Sequence, residues 1–331
     1  VTTTSWTDTQ ISVGNHSYEV VARDSDGNLS TAAAMSSTAV NSANGTWWDA
    51  NWPYRTLIGL GSGEHMRTDR IVEVDINFTP ILVALGDSNA FNPNTLRCHE
   101  TDISGEIISA DVPCQFDLAE DYDSQTSASG TLVVLASGDT PEHSARYIHL
   151  YFDTVDGTST APVTSPMVTV TDNVQDEGQA SFEISTSTGS YLLQKDAGGF
   201  SSLNDLLGND WINYHPTGNE FGNYRGIPNL VYPEGHFHPG STSVASTLVA
   251  TGPLKVTIDS KTLDGLWEVT WVFYPKTVTM EVKKADREYW FLYEGTPGGL
   301  MEQDSDFLVK SNGNSSLLSN DWDGDLSEQE W

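Results

Sequence analysis

Between Asn209 and Gly240 the chain gathers residue types that could do chemistry: His215, His236, His238, Arg225, Trp211, Tyr214, Tyr224, Asn229 and Tyr232. Three of the eight histidines fall between positions 215 and 238. Only Lys195 and Arg225 carry positive charge between Arg146 and Lys255, so Arg225 stands out among Tyr, His and Asn. Such an Arg suits a substrate carboxylate or sulfate held by a bidentate fork. It equally suits a bridge to carbonyls or acids of its own loop. Lyase chemistry on a uronic acid needs a cation or amide to neutralise the sugar carboxylate and so acidify the adjacent C–H. A His or Tyr then removes the proton, and a second such group protonates the leaving oxygen. Arg225 or Asn229, with His215 or His236 and Tyr214 or Tyr224, cover those roles. His236 and His238 also share one side of an extended segment, which suits a metal with Asp210, His215 or Glu234 as third ligand. A folded loop whose histidines bond to carbonyls is the structural alternative.

Glycoside hydrolysis would instead require two carboxylates flanking the bond, and Glu234, Glu294 and Asp210 are the candidates. Glu294 shares a strand face with Trp290 and Leu292, and apolar neighbours raise a carboxyl pKa as a general acid requires. Trp211, Trp267 and Trp271 can stack on sugar rings, although Trp at period 2 in a strand more often belongs to a core. Near the C-terminus Asp321, Asp323 and Asp325 alternate, as carboxylates do when they converge on calcium. The glycine at 324 comes too early for a helix-loop-helix calcium hand, and a solvated acidic tail is the competing reading.

The surrounding text that must position these groups is strand text. Apolar and polar residues alternate over short runs punctuated by Gly, Asn, Asp and Pro, and no long amphipathic helix is visible. Trp267, Val269, Trp271 and Phe273 share one face, followed by a turn at Pro275-Lys276-Thr277 and by Val278, Met280 and Val282. With Tyr289 to Glu294 these runs form an expected three-strand meander. Further strands are expected at 71–78, 95–100, 107–116, 132–136 and 147–152.

Residues 1–41 resemble the last strands of a fibronectin type III domain, on the Thr-Asp before a turn, Tyr18-Glu19-Val20-Val21-Ala22, and the Asp24-Ser25-Asp26-Gly27-Asn28 turn. Residues 45–158 open with Trp52-Pro53-Tyr54-Arg55 and resemble small β-sandwich modules of secreted bacterial proteins. A linker is expected at Ala161 to Pro166. The third unit, 165–331, resembles galactose-mutarotase-like super-sandwiches in the rhythm of Phe182 to Ser185, Tyr191 to Lys195 and Gly198-Gly199-Phe200. That family implies polysaccharide lyases and hydrolases, and the fibronectin-like stretch implies a spacer.

The chain has 331 residues, 15 cations against 46 acids, and a formal charge of -31. This excludes a nucleic-acid groove and a polybasic contact with anionic lipid. Apolar runs fall far short of a membrane span. Gly-rich phosphate loops, Gly-x-Ser-x-Gly elbows and Cys-x-x-Cys pairs are missing from the sequence. A Lys-poor composition rich in Ser, Thr, Asn, Asp and Gly suggests a secreted protein from a saline habitat. With a turn at Asp102-Ile103-Ser104-Gly105, Cys98 would face Ser109. Cys114 would then lie about five positions further on, too far for a disulfide across that pair. A third strand could still unite the two cysteines, and two buried free thiols are the alternative.

The sequence thus predicts an all-β chain of several β-sandwich domains, the last a larger super-sandwich-like unit. The expected function is secreted polysaccharide degradation, with a carbohydrate-binding module or a structural surface segment as alternatives. His215, Tyr224, Arg225, His236 and Glu294 are the catalytic candidates. Trp211, Tyr214, Asn229, Tyr232 and His238 would contact a polysaccharide, and Asp321, Asp323 and Asp325 would hold calcium. Neither nucleic acid nor membrane is an expected partner, and the chain reads as part of a larger multidomain protein.

Overall fold

The computed structural model describes residues 14–20, 33–39, 47–102, 105–155, 164–216, 237–289, 302–309 and 315–320. The chain is all-β, built from separate antiparallel sheets with one short helix among the described residues. It divides into two units, the first comprising 1–169 with 250–256 and the second 170–249 with 257–331.

In the first unit the strands are β1 (Gly14–Val20), β2 (Ala33–Ala39), β3 (Tyr54–Gly61), β4 (Arg67–Asn77), β5 (Phe91–Thr101) and β6 (Ile107–Val112). They are followed by β7 (Cys114–Leu118), β8 (Ser129–Thr140) and β9 (Ala145–Thr154). One sheet runs β1-β2-β3-β9-β5-β6 and the other β4-β8-β7. The antiparallel pair β1–β2 joins the edge of β3 through Ala39 opposite Thr56.

Period-2 alternation fixes what lies between the layers. Ile58 and Leu60 of β3, Leu96 and Cys98 of β5, and Ile148, Leu150 and Phe152 of β9 meet Leu132, Val134 and Ala136 of β8 in one apolar core. Helix α1 (Phe78–Ala84) adds Phe78 and Leu82, one turn apart, and its N-terminus is capped by Asn77, whose side chain accepts from the Thr79 amide at 3.0 Å. Phe78 stacks on Phe91 with centroids 4.0 Å apart and lies 5.0 Å from Phe152. Burying each such ring contributes about 2–3 kcal/mol.

The unbroken run Leu132-Val133-Val134-Leu135-Ala136 marks β8 as buried on both faces. Its outer residues, Val133 and Leu135, pack with Leu254, Ile71 and Met167. Residues 250–256 are held there by Gln115, whose Oε1 accepts from the amides of Leu254 and Lys255 at 2.9 and 3.0 Å. Lys255 sets its ammonium 2.9 Å from Glu73 and 2.8 Å from Asp117. Burial alone would lower its pKa, but the two carboxylates outweigh this and hold it raised.

The expected strand at 107–116 is two strands. Pro113 has no N–H to give to a ladder, so β6 ends at Val112 and β7 starts in the other sheet at Cys114. Register also departs from the expectation for Cys98: bulges between Cys98 and Thr101 set it opposite Val112, not Ser109.

The second unit contains β10 (Val168–Asp176), β11 (Gln179–Thr186), β12 (Gly189–Gln194) and β13 (Phe200–Asp205) as one meander. A second meander holds β14 (Val244–Thr251), β15 (Val256–Thr262), β16 (Glu268–Phe273) and β17 (Val278–Lys284). A small pair follows, β18 (Phe307–Val309) with β19 (Ser315–Leu317). Trp267, Val269, Trp271 and Phe273 are all buried, as their shared face predicts. Phe200 of β13 meets Trp271 of β16 with centroids at 4.8 Å, and Tyr191 of β12 meets Phe273 at 5.6 Å. The Trp271 indole N–H donates to the Gly198 carbonyl at 3.2 Å. Trp267 and Trp271 are therefore core residues and not sugar platforms. The β16–β17 hairpin is present, with the Tyr274 amide donating to the Thr277 carbonyl across the expected turn. Of the third expected strand, only Tyr289 is described.

Candidate functional site

β13 leads into the segment that holds the candidate residues. After Asp205 the chain turns through Leu206-Leu207-Gly208, with the Asp205 amide donating to the Asn209 carbonyl at 3.1 Å. Gly208 sits at φ +82, where a residue without Cβ is unstrained. The chain then runs back along β13, with Trp211 N–H on the Leu203 carbonyl and Tyr214 N–H on the Ser201 carbonyl.

Two carboxylates organise this return. Asp210 accepts from the amides of Leu203, Ile212 and Asn213 through Oδ1, and from the Ser202 hydroxyl through Oδ2 at 2.7 Å. Both of its oxygens are engaged, which fits loop architecture better than metal ligation or glycosidic bond cleavage. Asp205 accepts from the Asn209 side chain and amide, the Leu207 amide, and the Trp211 indole N–H at 3.0 Å. Those hydrogen bonds, the Asn209 side chain foremost, pull its pKa down to about 2.

Trp211 is consequently an exposed aromatic residue with a fixed edge. It is 46% exposed, and Leu206 and Leu207 beside it in sequence are 74% and 88% exposed.

The other described candidates have different surroundings. His215 is exposed, and its Nδ1 lies 2.9 Å from a carboxylate oxygen of Glu177 in the β10–β11 turn. Tyr214 is buried against Gly240, where a β-carbon would overlap its hydroxyl. His238 is buried too, with Nδ1 bonded to the Pro239 carbonyl at 2.8 Å and its pKa lowered by burial. Trp211 and His215 thus face solvent, while Tyr214 and His238 line the interior. Tyr224, Arg225, Asn229, Tyr232, His236, Glu294, Asp321, Asp323 and Asp325 lie outside the described residues. Among the described residues no group of three or more His, Cys, Asp or Glu is arranged to hold a metal.

Sequence reasoning missed a second cluster, on the outer face of the six-stranded sheet. Arg55 of β3, His149 and Tyr151 of β9, and His99 of β5 alternate with inward core residues and so point away from that core. Arg55 is the register partner of Tyr151 and donates to its hydroxyl at 3.1 Å. Residues 47–52 lie over this face. Trp48 stacks on His99 with ring centroids 4.2 Å apart, and the Trp47 ring lies 4.5 Å from the Arg55 guanidinium. Trp52 anchors the lid through its indole N–H on the Thr95 carbonyl at 2.6 Å. The Trp-rich opening of this module therefore covers a polar face. Alternation around each histidine could have placed it outward, but no local pattern announces that the two meet.

Burial lowers the pKa of both rings, to about 4 for His149, where Arg55 adds to the effect. His99 Nε2, His149 Nδ1 and Thr101 Oγ1 are buried without hydrogen-bond partners. A depression of about 100 Å³ beside α1, lined by Thr79, Leu82, Asp87 and Gln125 among others, is well below the roughly 300 Å³ of ligand pockets.

No protein-family model, no curated protein and no solved structure matches the chain.

Proposed function

We propose that the chain is a carbohydrate-binding part of a secreted polysaccharide-degrading protein, with Trp211 as its stacking platform. The observation that carries this reading is the exposed indole tied by its N–H to Asp205 at 3.0 Å. An indole offers an apolar face with a polar edge, and here the edge is already bonded, leaving the face for a pyranose ring. A side chain held before binding has less rotamer freedom to lose on binding.

Ligand charge follows from the same turn. Asp205 stays ionised down to about pH 2, and the whole chain carries -31. At physiological salt charges interact over about 8 Å, so an ionised carboxylate in contact with the ring edge still repels a uronate there. The reading therefore favours neutral polysaccharides.

Affinity electrophoresis of the full chain through gels containing neutral or uronate polysaccharides tests this. Retardation by a neutral polysaccharide is expected, with loss in Trp211→Ala at unchanged melting temperature. Equal retardation of wild type and Trp211→Ala would refute the platform.

A further inference from the structure

Cys98 and Cys114 stand on strands of different sheets, yet only Pro113 separates Cys114 from Val112, the register partner of Cys98. The chain changes layers at Pro113. Val112 closes β6 in the six-stranded sheet, and Cys114 opens β7 in the three-stranded sheet, opposite Val134. Both side chains enter the same apolar core, Cys98 within it and Cys114 packed against it. Both are free thiols. The sequence contains two cysteines, so neither has a competing partner within the chain.

We propose that Cys98 and Cys114 are the two halves of an inter-sheet disulfide, closed when the folded chain meets a low-molecular-weight disulfide. Two thiols that meet in one core, with Cys114 only two residues beyond the register partner of Cys98, are placed to close the roughly 2.05 Å bond without a change of fold. The roles of the two differ. Cys98 is 2% exposed, whereas Cys114 is only partly buried, which makes Cys114 the more accessible of the two. The neighbouring Cys98 thiol also lowers the Cys114 pKa, and the Arg97 charge adds to this, while the Cys114 thiol and burial raise that of Cys98. A depressed pKa supplies the attacking thiolate.

The exchange balances in two steps. The Cys114 thiolate attacks one sulfur of the external disulfide RSSR, forming a mixed disulfide and expelling one RS⁻. The Cys98 sulfur then attacks the Cys114 sulfur, forming the inter-sheet bond and expelling the second RS⁻. The two thiol protons end on the two departing thiolates, and the external disulfide has taken up two electrons. The product ties the two layers of the first unit together through their shared core.

The test uses the full chain, reduced, desalted and incubated folded with oxidised glutathione. Acid quenching, alkylation under denaturing conditions and mass spectrometry follow. The expected product is a monomer that takes up no alkylating agent, has lost two hydrogens, and yields a peptide pair linked through Cys98 and Cys114. Its unfolding midpoint should rise by roughly 5–10 °C, as expected for closing a short loop. Cys114→Ser under the same treatment should show no such rise. Two alkylated cysteines, an unresolved glutathione adduct on Cys114, or a disulfide-linked dimer would each overturn the proposal. These wild-type readouts do not depend on the variant folding.

Discussion

His99 of β5 and His149 of β9 are direct register partners, buried side by side on the outer face of the six-stranded sheet. Each keeps one ring nitrogen without a hydrogen bond, Nε2 in His99 and Nδ1 in His149. Burial disfavours a charge on either ring, and a nearby guanidinium adds to this, Arg97 for His99 and Arg55 for His149, which explains why both pKa values are lowered in the fold.

The pair predicts an acid limit for the first unit. An unfolded histidine takes its proton near pH 6.5, whereas folded His149 takes one only near pH 4. The unfolded chain binds more protons between those values, so this stability is complete above about pH 6.5 and lost as the pH falls toward 4. For His149 the effect is on the order of 3 kcal/mol. Urea unfolding across that window should show a steeper loss in wild type than in His149→Phe. Equal slopes would contradict the assignment.

Gln115 predicts a second, pH-independent weakness. It accepts from the Leu254 and Lys255 amides and donates to Asp117 at 2.6 Å. Gln115→Ala leaves two buried amides unpartnered, at about 1–3 kcal/mol each. The urea midpoint should fall accordingly, and Gln115→Glu, which keeps an acceptor oxygen, should recover part of the loss.

Asp205→Ala separates the proposed Trp211 platform from the sandwich. Trp211 loses its indole anchor and the 205–209 turn loses its acceptor, so affinity for a neutral polysaccharide should fall several-fold. Affinity electrophoresis beside thermal unfolding distinguishes this from global damage, because the turn is solvent-exposed.

Gly240 probes the interior side of the same segment. It sits at φ +83, and a methyl group there would meet the Tyr214 hydroxyl. Gly240→Ala should destabilise the second unit by about 1–3 kcal/mol. Adding Tyr214→Phe should return only part of that, since the backbone strain stays. Differential scanning calorimetry of the single and double variants measures both.

Several strands with one-sided or complete burial were legible, but β10, β14 and β15 were not singled out. Trp267 to Phe273 alternates because one face is buried, and Leu132 to Ala136 runs unbroken because both are. Contacts that depend on register were not legible. Bulges after Cys98 move its partner from Ser109 to Val112, and Pro113 carries Cys114 into the other sheet, where simple hairpin counting cannot follow. His99 and His149 each look unremarkable locally, and only pairing of distant strands unites them. In the candidate site, aromatic and polar content singled out the segment around Trp211. It could not distinguish Trp211 and His215, which face solvent, from Tyr214 and His238, which do not. That outcome depends on Asp210 holding residues 210–213 along β13 and on Tyr214 packing against Gly240.

Residues 250–256 give the first unit a history in time. Leu254 covers Val133 and Leu135, and Lys255 neutralises Glu73 and Asp117, but a ribosome delivers them only after all of β10 to β14 has been made. During that interval Val133 and Leu135 of β8 lack their Leu254 contact, and Glu73 and Asp117 lack the Lys255 ammonium. The first unit therefore cannot complete its own contacts until strands of the second unit have been synthesised.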